Sequence, residues 1–66
     1  MPVLSNLRAV RERRALSQVE LARLARVTQS TLSHLEAGRP AMPSTTRKLA
    51  RALRVQPGDL IGYPYA

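Results

Sequence analysis

The chain has no cysteine, phenylalanine or tryptophan, and it contains only four acidic residues. Without cysteine it can form neither a disulfide framework nor a thiolate metal site, and this composition is typical of the reducing cytoplasm. Because Tyr63 and Tyr65 both lie within the last few residues, the core must be aliphatic. No apolar run is long enough to span a bilayer, so we expect no membrane contact.

The same shortages argue against catalysis. One histidine, four carboxylates and no thiol provide no recognisable catalytic set, so we expect that the protein is not an enzyme. His34 is also a poor candidate metal ligand, because neither a second histidine nor a cluster of carboxylates accompanies it. The sequence therefore predicts neither a metal nor any other cofactor.

Positive charge, in contrast, is abundant. Eleven lysines and arginines against four acids give a net charge of +7 over 66 residues, a length that allows one small domain with a thin core. Such a basic domain favours a polyanionic partner, with double-stranded DNA ahead of RNA or an anionic membrane. All basic residues except Lys48 are arginine, so a general compositional bias is the alternative explanation.

Residues 17–38 predict two short helices joined by a tight turn. Ser17 and Glu20 match a capping box, which predicts where the first of these helices begins. Thr28 is expected to cap the second helix, over residues 29–36. Between them, Arg26 is expected to adopt the left-handed conformation at a cost of roughly 1 kcal/mol, since glycine is the residue that adopts it without strain. The expected buried residues are Leu21, Ala22, Leu24, Ala25, Leu32 and Leu35.

The outward side of the predicted helix 29–36 carries short polar groups and no carboxylate. Ser30, Ser33 and His34 lie on this side, with Gln29 in the first turn. A helix of this kind suits the floor of the DNA major groove, where the Gln29 amide can pair with adenine N6 and N7. Ser30 can donate to a base or to a phosphate equally well.

The remaining sequence predicts three further helices. One begins at a cap provided by Ser5 or Asn6 and runs to about Arg14, one runs from Ser44 as its cap to about Arg54, and a short one begins at Pro57. Residues 1–4 are predicted to form a short arm, and residues 62–66 a tail that cannot be helical throughout. Leu7 and Val10 share one face with Leu4, and the other expected core residues outside 17–38 are Leu16, Leu49, Ala50, Leu53 and Val55.

This joint spacing resembles the XRE family of helix-turn-helix domains, which includes phage repressors and Cro proteins. The matching residues are Leu7, Arg11, Ser17, Gln18, Leu21, Ala22, Val27, Thr28, Leu32, Leu35, Glu36, Gly38, Pro43, Ser44, Leu49, Leu53, Val55 and Leu60. The resemblance implies an all-α fold: a compact five-helix bundle similar to the DNA-binding domain of lambda repressor, with a central helix-turn-helix over about 17–36. A single domain would then cover 1–66, including the tail.

The resemblance also implies roles for individual residues. The helix over 29–36 would enter the major groove, where bases are contacted by Gln29, Ser30, Ser33 and His34. Expected phosphate contacts come from Gln18, Arg26, Thr28, Arg39, Ser44 and Thr45. Arg11 and Glu36 match a pair that forms an internal salt bridge. Arg26 departs from the family pattern, which often has glycine there.

We interpret the chain as a sequence-specific, cytoplasmic regulator of transcription that binds double-stranded DNA. It is expected to act as a repressor and as a homodimer on an inverted-repeat operator, since one recognition helix reads few base pairs. Leu60, Ile61 and Tyr63 either complete the core or form the dimer interface, and we expect the interface. The alternative is an antitoxin-like or other protein-interaction module, in which the last helix or the tail binds a protein partner.

Overall fold

The computed structural model describes residues 1–61, which fold into five helices around an aliphatic core. The helices are α1 (Leu7–Arg13), α2 (Gln18–Ala25), α3 (Gln29–Glu36), α4 (Pro43–Leu53) and α5 (Pro57–Ile61). Within the described range there is no β-strand, and the only β-type backbone pairing is one isolated antiparallel bridge. The predicted all-α class is therefore confirmed. The predicted tail over 62–66 lies outside the described residues.

The starts of α2 and α3 follow the predicted local signals. The Ser17 hydroxyl accepts from the Glu20 N–H at 3.0 Å, and the Glu20 carboxylate accepts from the Ser17 N–H at 2.8 Å. The backbone hydrogen bond from Ser17, followed by the bond with its hydroxyl, lowers the pKa of Glu20. Thr28 caps α3 by accepting from the Thr31 N–H at 3.0 Å. The helix-turn-helix is therefore bounded by side-chain caps at both of its helix starts.

The starts of α1 and α4 differ from the prediction. Met42 is the residue before α4, and Pro43 occupies its first position, where a missing N–H costs nothing, so Ser44 lies inside the first turn and is not a cap. Asn6 precedes α1 without capping it, and its amide donates instead to the Asp59 carbonyl at 3.2 Å. The Ser5 hydroxyl similarly donates to the Ile61 carbonyl at 2.6 Å. Both polar residues therefore tie the chain start to α5.

Helices α1 to α4 all end with the same backbone device. A residue with positive φ follows the helix, and the next N–H donates to the carbonyl five residues earlier, which is the Schellman arrangement. The positive-φ residues are Ala15 (59°), Arg26 (59°), Gly38 (109°) and Arg54 (59°). The donors and acceptors are Leu16 to Arg11, Val27 to Ala22, Arg39 to His34, and Val55 to Ala50. The left-handed conformation predicted for Arg26 is confirmed, and the sequence reading missed Ala15 and Arg54.

An apolar residue follows three of these left-handed residues and packs against the core. They are Leu16, Val27 and Val55, each partly buried. The chain must reverse direction at each helix end to bring this side chain inward, which explains why Arg26 and Arg54 accept a strained φ. Only Gly38 is followed by a polar residue, Arg39, which is exposed.

The core is built from leucines supplied by every helix. The largest fully buried side chains are Leu4, Leu7, Leu21, Leu32, Leu49, Leu53 and Leu60. Each contributes on the order of 2 kcal/mol through removal of apolar surface from water. Helix α2 packs against both α3 and α4, and α5 packs against both α1 and α4.

The first residues, predicted to form a short arm, pack against the rest of the chain. Leu4 is buried in the core, the Pro2 carbonyl accepts from the Ala41 N–H at 2.8 Å, and Val3 pairs with Pro40 in the isolated bridge. The segment therefore packs against the loop between α3 and α4. The sequence reading missed this because both partners are irregular and lie far apart along the chain.

Leu24 is a second correction. Leu21, Ala22 and Ala25 are buried as predicted, but Leu24 is 59% exposed. It lies about 60° around the helix axis from Leu21, at the edge of the buried face. At this edge α4 contributes Lys48, Arg51 and Ala52, and none of these covers Leu24 with a large apolar group.

Replacing Arg26 with glycine should raise the free energy of unfolding by about 1 kcal/mol, because glycine adopts this φ without the clash of a Cβ. Urea denaturation measures the change. Arg23→Gly is the matched control: it lies inside α2, so the same exchange should destabilise by about 1 kcal/mol. A destabilised Arg26→Gly would show that contacts of the arginine outweigh the backbone strain.

Candidate nucleic-acid interface

The outward face of α3 gathers the four residues predicted to contact bases. Gln29, Ser30, Ser33 and His34 are all exposed, while Leu32 and Leu35 hold the opposite side in the core. Residues three or four positions apart are neighbours on a helix surface, so the four side chains form one patch. Within residues 1–61 none of them forms a side-chain hydrogen bond. Their donors and acceptors are therefore available to a ligand.

The N-terminal end of α3 adds backbone donors to this patch. The Thr28 hydroxyl accepts from the Thr31 N–H and also donates to the Thr31 hydroxyl at 2.8 Å, so it serves the cap. The N–H groups of Gln29 and Ser30 have no partner within the helix, and the helix dipole makes this end positive. A phosphate can bind here through the backbone, even though the Thr28 hydroxyl predicted for that contact is already engaged.

Neither α3 nor α4 has an acidic residue in its first turn, whereas α2 has Glu20 and α5 has Asp59. An acid there would neutralise the positive helix end and repel a phosphate. The exposed Ser44 and half-buried Thr45 lie in the first turn of α4, where they were predicted to contact phosphate. The sequence reading overlooked the backbone donors of both helices, although the missing acids were visible in the sequence.

A buried ion pair holds α3 on its scaffold. The Nε of Arg11 donates to Glu36 Oε2 at 2.6 Å and its Nη2 donates to Glu36 Oε1 at 3.0 Å, a two-point contact that fits the planar guanidinium. The Nη1 group also donates to the Leu16 carbonyl at 2.8 Å. The two side chains are only 10% and 5% exposed. The pair implied by the resemblance therefore joins α1 directly to the C-terminal end of α3.

Gln18 extends this network to α2. Its Nε2 donates to Glu36 Oε1 at 3.0 Å, so one carboxylate is bound from α1 and from α2. The resemblance implied a phosphate contact for Gln18, and the sequence gave no sign of this internal partner. An amide nitrogen has two hydrogens, so one hydrogen and the amide oxygen remain available for a ligand.

The carboxylate of Glu36 is kept ionised by its partners. Burial is the largest single influence and raises the pKa of Glu36, but the hydrogen bonds from Arg11 and Gln18, together with the charge of Arg11, outweigh it. The resulting pKa lies below the usual value of a glutamate. The hydrogen bond to Glu36 raises the pKa of Arg11 in turn. Both groups are thus charged at neutral pH, and each one satisfies the other.

Two arginines predicted to contact phosphate have different surroundings. Arg39 is exposed and follows Gly38 at the end of α3, with its N–H donating to the His34 carbonyl at 3.1 Å, so it adjoins the α3 patch. Arg26 is also exposed, but it lines a groove between α2 and α4 together with Lys48 and Arg51. The structure therefore assigns Arg39 to the surroundings of the α3 patch and Arg26 to the groove.

The predicted dimer interface is wrong for Leu60. This side chain is fully buried in the core of its own chain, and the Leu60 carbonyl accepts from the Asn6 N–H at 3.0 Å, so it presents no surface to a partner. Ile61 is partly buried, and Tyr63 lies outside the described residues. An apolar residue near the end of a chain was ambiguous in the sequence, because burial by α1 and α4 depends on the tertiary fold.

Residues 1–61 contain no group of three or more histidine, cysteine or acidic side chains arranged to hold a metal ion. None of the helices in this range has the length and hydropathy needed to cross a membrane.

A protein-family model described as a helix-turn-helix domain matches residues 5–61. The match begins just before α1 and ends with α5, so it covers most of the chain and all five helices. It agrees with the resemblance to XRE-type domains. No curated protein sequence matches the chain significantly.

Removing Glu36 as Glu36→Ala should lower the free energy of unfolding by about 3 kcal/mol, because Arg11 is left buried without its partner. Chemical denaturation measures this loss. The exposed pair Arg8–Glu12, with side chains 70% and 55% exposed, provides the matched control, and Glu12→Ala should cost less than about 0.5 kcal/mol. Equal costs at the two sites would refute the structural role of the buried pair.

The buried pair also predicts acid sensitivity. Because the folded pKa of Glu36 is lowered, its contribution is fully present above the unfolded value of about 4.3 and is lost as the pH falls through the folded pKa. The stability difference between the protein and Glu36→Gln should therefore shrink when denaturation is repeated from neutral pH down to about pH 3. A difference that stays constant across this range would contradict the lowered pKa.

Proposed function

The chain belongs to the helix-turn-helix family, and from this premise we propose that it is a sequence-specific repressor of transcription, acting as a homodimer on double-stranded operator DNA. The observation that carries the proposal is the α3 patch: Gln29, Ser30, Ser33 and His34 are exposed together, without side-chain partners among residues 1–61. Because these side chains form no hydrogen bonds with residues 1–61, their donors and acceptors are available to pair with base edges.

The side chains of the α3 patch differ in the hydrogen bonds that they can form with bases. The Gln29 amide presents a donor and an acceptor side by side, as adenine N7 and N6 require in the major groove. His34, one turn further along, adds a ring nitrogen, and Ser30 and Ser33 add hydroxyls that either donate or accept. Because the buried pair Arg11–Glu36 fixes α3 relative to α1, this set of donors and acceptors reaches DNA already oriented.

A second set of groups would contact the DNA backbone and so position α3 in the groove. The positive N-terminal ends of α3 and α4 and the exposed Arg39 supply phosphate contacts that set the register of α3 in the groove. The net charge of +7 adds an attractive field that speeds association and makes binding salt-dependent. Specificity then depends on the α3 patch, since phosphate contacts carry little sequence information.

A symmetric dimer would place two such patches on adjacent half-sites of an inverted repeat. With Leu60 buried, Ile61 and Tyr63 remain the candidates for the interface. Repression follows if the dimer occupies an operator that overlaps a promoter. We further propose that the protein acts in the cytoplasm without a cofactor and without catalysis, as its lack of cysteine and its few acids indicate.

One observation favours the alternative, a protein-interaction module of the antitoxin type. An apolar groove of about 280 Å³ adjoins Ile61, and its lining residues are Pro2, Pro43, Thr46, Arg47, Pro57 and Ile61. A toxin-like partner could bind there through an apolar segment. Stable copurification with such a partner, combined with no preference for any DNA sequence, would support this alternative over the repressor.

Selection from a random duplex library at about 150 mM salt, near physiological ionic strength, tests the proposal directly. Purified full-length protein should enrich an inverted repeat with half-sites about one helical turn apart. Enrichment of a single half-site would retain sequence-specific binding and remove the dimer. Binding that enriches no sequence and weakens steeply with salt would overturn the proposal, because the charge would then act alone.

Single substitutions separate base readers from phosphate contacts on the selected operator. Gln29→Ala should weaken binding about tenfold or more and relax the preference at one base pair. Arg39→Ala should weaken binding to all sequences and reduce the salt slope by about one. Arg13→Ala, which removes the same charge from the exposed side of α1, is the control and should change little. Fluorescence anisotropy over several salt concentrations measures all three, and an unaltered preference in Gln29→Ala would contradict base contact.

A further inference from the structure

A groove of about 530 Å³ lies between α2 and α4, apart from the patch described above. Its lining residues are Leu24, Ala25, Arg26, Lys48, Arg51 and Ala52. Leu24 is 59% exposed and forms an apolar wall with the two alanines, while three cations surround it. We name this feature the α2–α4 groove.

The α2–α4 groove lies on a different flank of α2 from Gln18. Gln18 points toward α3, as its bond to Glu36 shows. Leu24 follows six residues later, which places it about 120° around the helix axis, on the flank toward α4. No residue of α3 lines the groove, so a ligand bound there would leave the side chains of the α3 patch accessible.

The chain itself has no spare acid to neutralise this groove. Glu12 pairs with Arg8, Glu20 closes the capping box, Glu36 binds Arg11 and Gln18, and Asp59 accepts from the Gln56 N–H at 2.9 Å. These four are all the acidic side chains of the sequence. Within residues 1–61, Arg26, Lys48 and Arg51 therefore have no acidic side chain to pair with, and an external acidic ligand would complement their charge.

We propose that the α2–α4 groove docks an acidic amphipathic segment of another protein. An apolar side chain of this segment packs against Leu24, and flanking carboxylates pair with Arg26, Lys48 and Arg51. A nucleic-acid backbone would satisfy the cations but would leave Leu24 uncovered, because its phosphates and sugars are polar. Covering the leucine removes apolar surface from water, which is a favourable contribution that only an amphipathic partner supplies.

This interaction goes beyond DNA recognition and does not depend on it. A protein held on DNA through α3 could recruit an acidic partner through the groove, because no residue of the α3 patch lines it. The test therefore measures peptide binding without DNA, and its result is separate from that of operator selection.

The probe is a fluorescein-labelled synthetic peptide of about 15 residues, with leucines at helical spacing on one face and glutamates elsewhere. Full-length protein is titrated into the peptide, and fluorescence anisotropy reports binding. Two control peptides keep the length: one scrambles the order so that the leucines no longer share a face, and one replaces each glutamate with lysine. The amphipathic acidic peptide should bind, and both controls should bind at least about tenfold more weakly.

Protein variants locate the site. Leu24→Ser and Arg51→Glu should each weaken peptide binding about tenfold. Val19→Ser makes the matched apolar-to-polar change on the other flank of α2, and Arg13→Glu makes the matched charge reversal on α1; both should bind as the original protein does. Circular dichroism checks that every variant is folded. Amide chemical shifts should move at Leu24, Lys48 and Arg51 and stay unchanged at Gln29 and Ser33.

Several results would overturn the proposal. These are no binding of the acidic amphipathic peptide, equal binding of the scrambled peptide, or equal losses in the groove and control variants. A random-sequence duplex that displaces the peptide and is itself bound more weakly by Leu24→Ser and Arg51→Glu would show instead that the groove contacts nucleic acid. Peptide binding that maps to the groove would support the proposal even if no operator were enriched.

Discussion

The buried contact between Arg11 and Glu36 is the interaction on which the presentation of α3 depends. It joins α1 to the end of α3, and Gln18 brings α2 to the same carboxylate. A buried charge is tolerated only when its hydrogen bonds are satisfied, so this network fixes the orientation of all three helices together. The exposed patch on α3 is held in the same orientation. The network thus adds rigidity to a thin aliphatic core, and recognition of DNA requires such rigidity.

The conformation of the helix ends is set by the need to fill the core of a small protein. Leu16, Val27 and Val55 must return to the core directly after a helix, and a left-handed residue is the shortest way to turn the backbone. Arginine at two of these positions accepts backbone strain for the sake of that packing. In Arg26 the side chain also reaches the α2–α4 groove, so the residue combines an unfavourable backbone with a surface charge that glycine could not provide.

The distribution of positive charge on the surface follows from the few acidic residues and their partners. The four acids are all engaged in caps or ion pairs, and three of the helices, α1, α3 and α4, contain no acid in their first turns. Positive potential is therefore concentrated at free helix ends and at unneutralised arginines. One set of these charges surrounds the patch on α3, and another lines the groove beside Leu24. The chain belongs to the helix-turn-helix family, and the second set lines a separate groove to which α3 contributes no residue.

The sequence by itself determined the elements whose signals are local. The capping box at Ser17, the cap at Thr28 and the apolar period of α3 depend on residues within one or two turns, so the bounds of α2 and α3 and the exposure of Gln29 and His34 could be predicted. Other features depend on partners distant in sequence. Leu24 is exposed because of what α4 places beside it, Leu60 is buried by α1 and α4, and Gln18 binds a carboxylate eighteen positions away. Helical periodicity identifies which residues share a face, but only the packing of one helix against another decides which part of that face is covered.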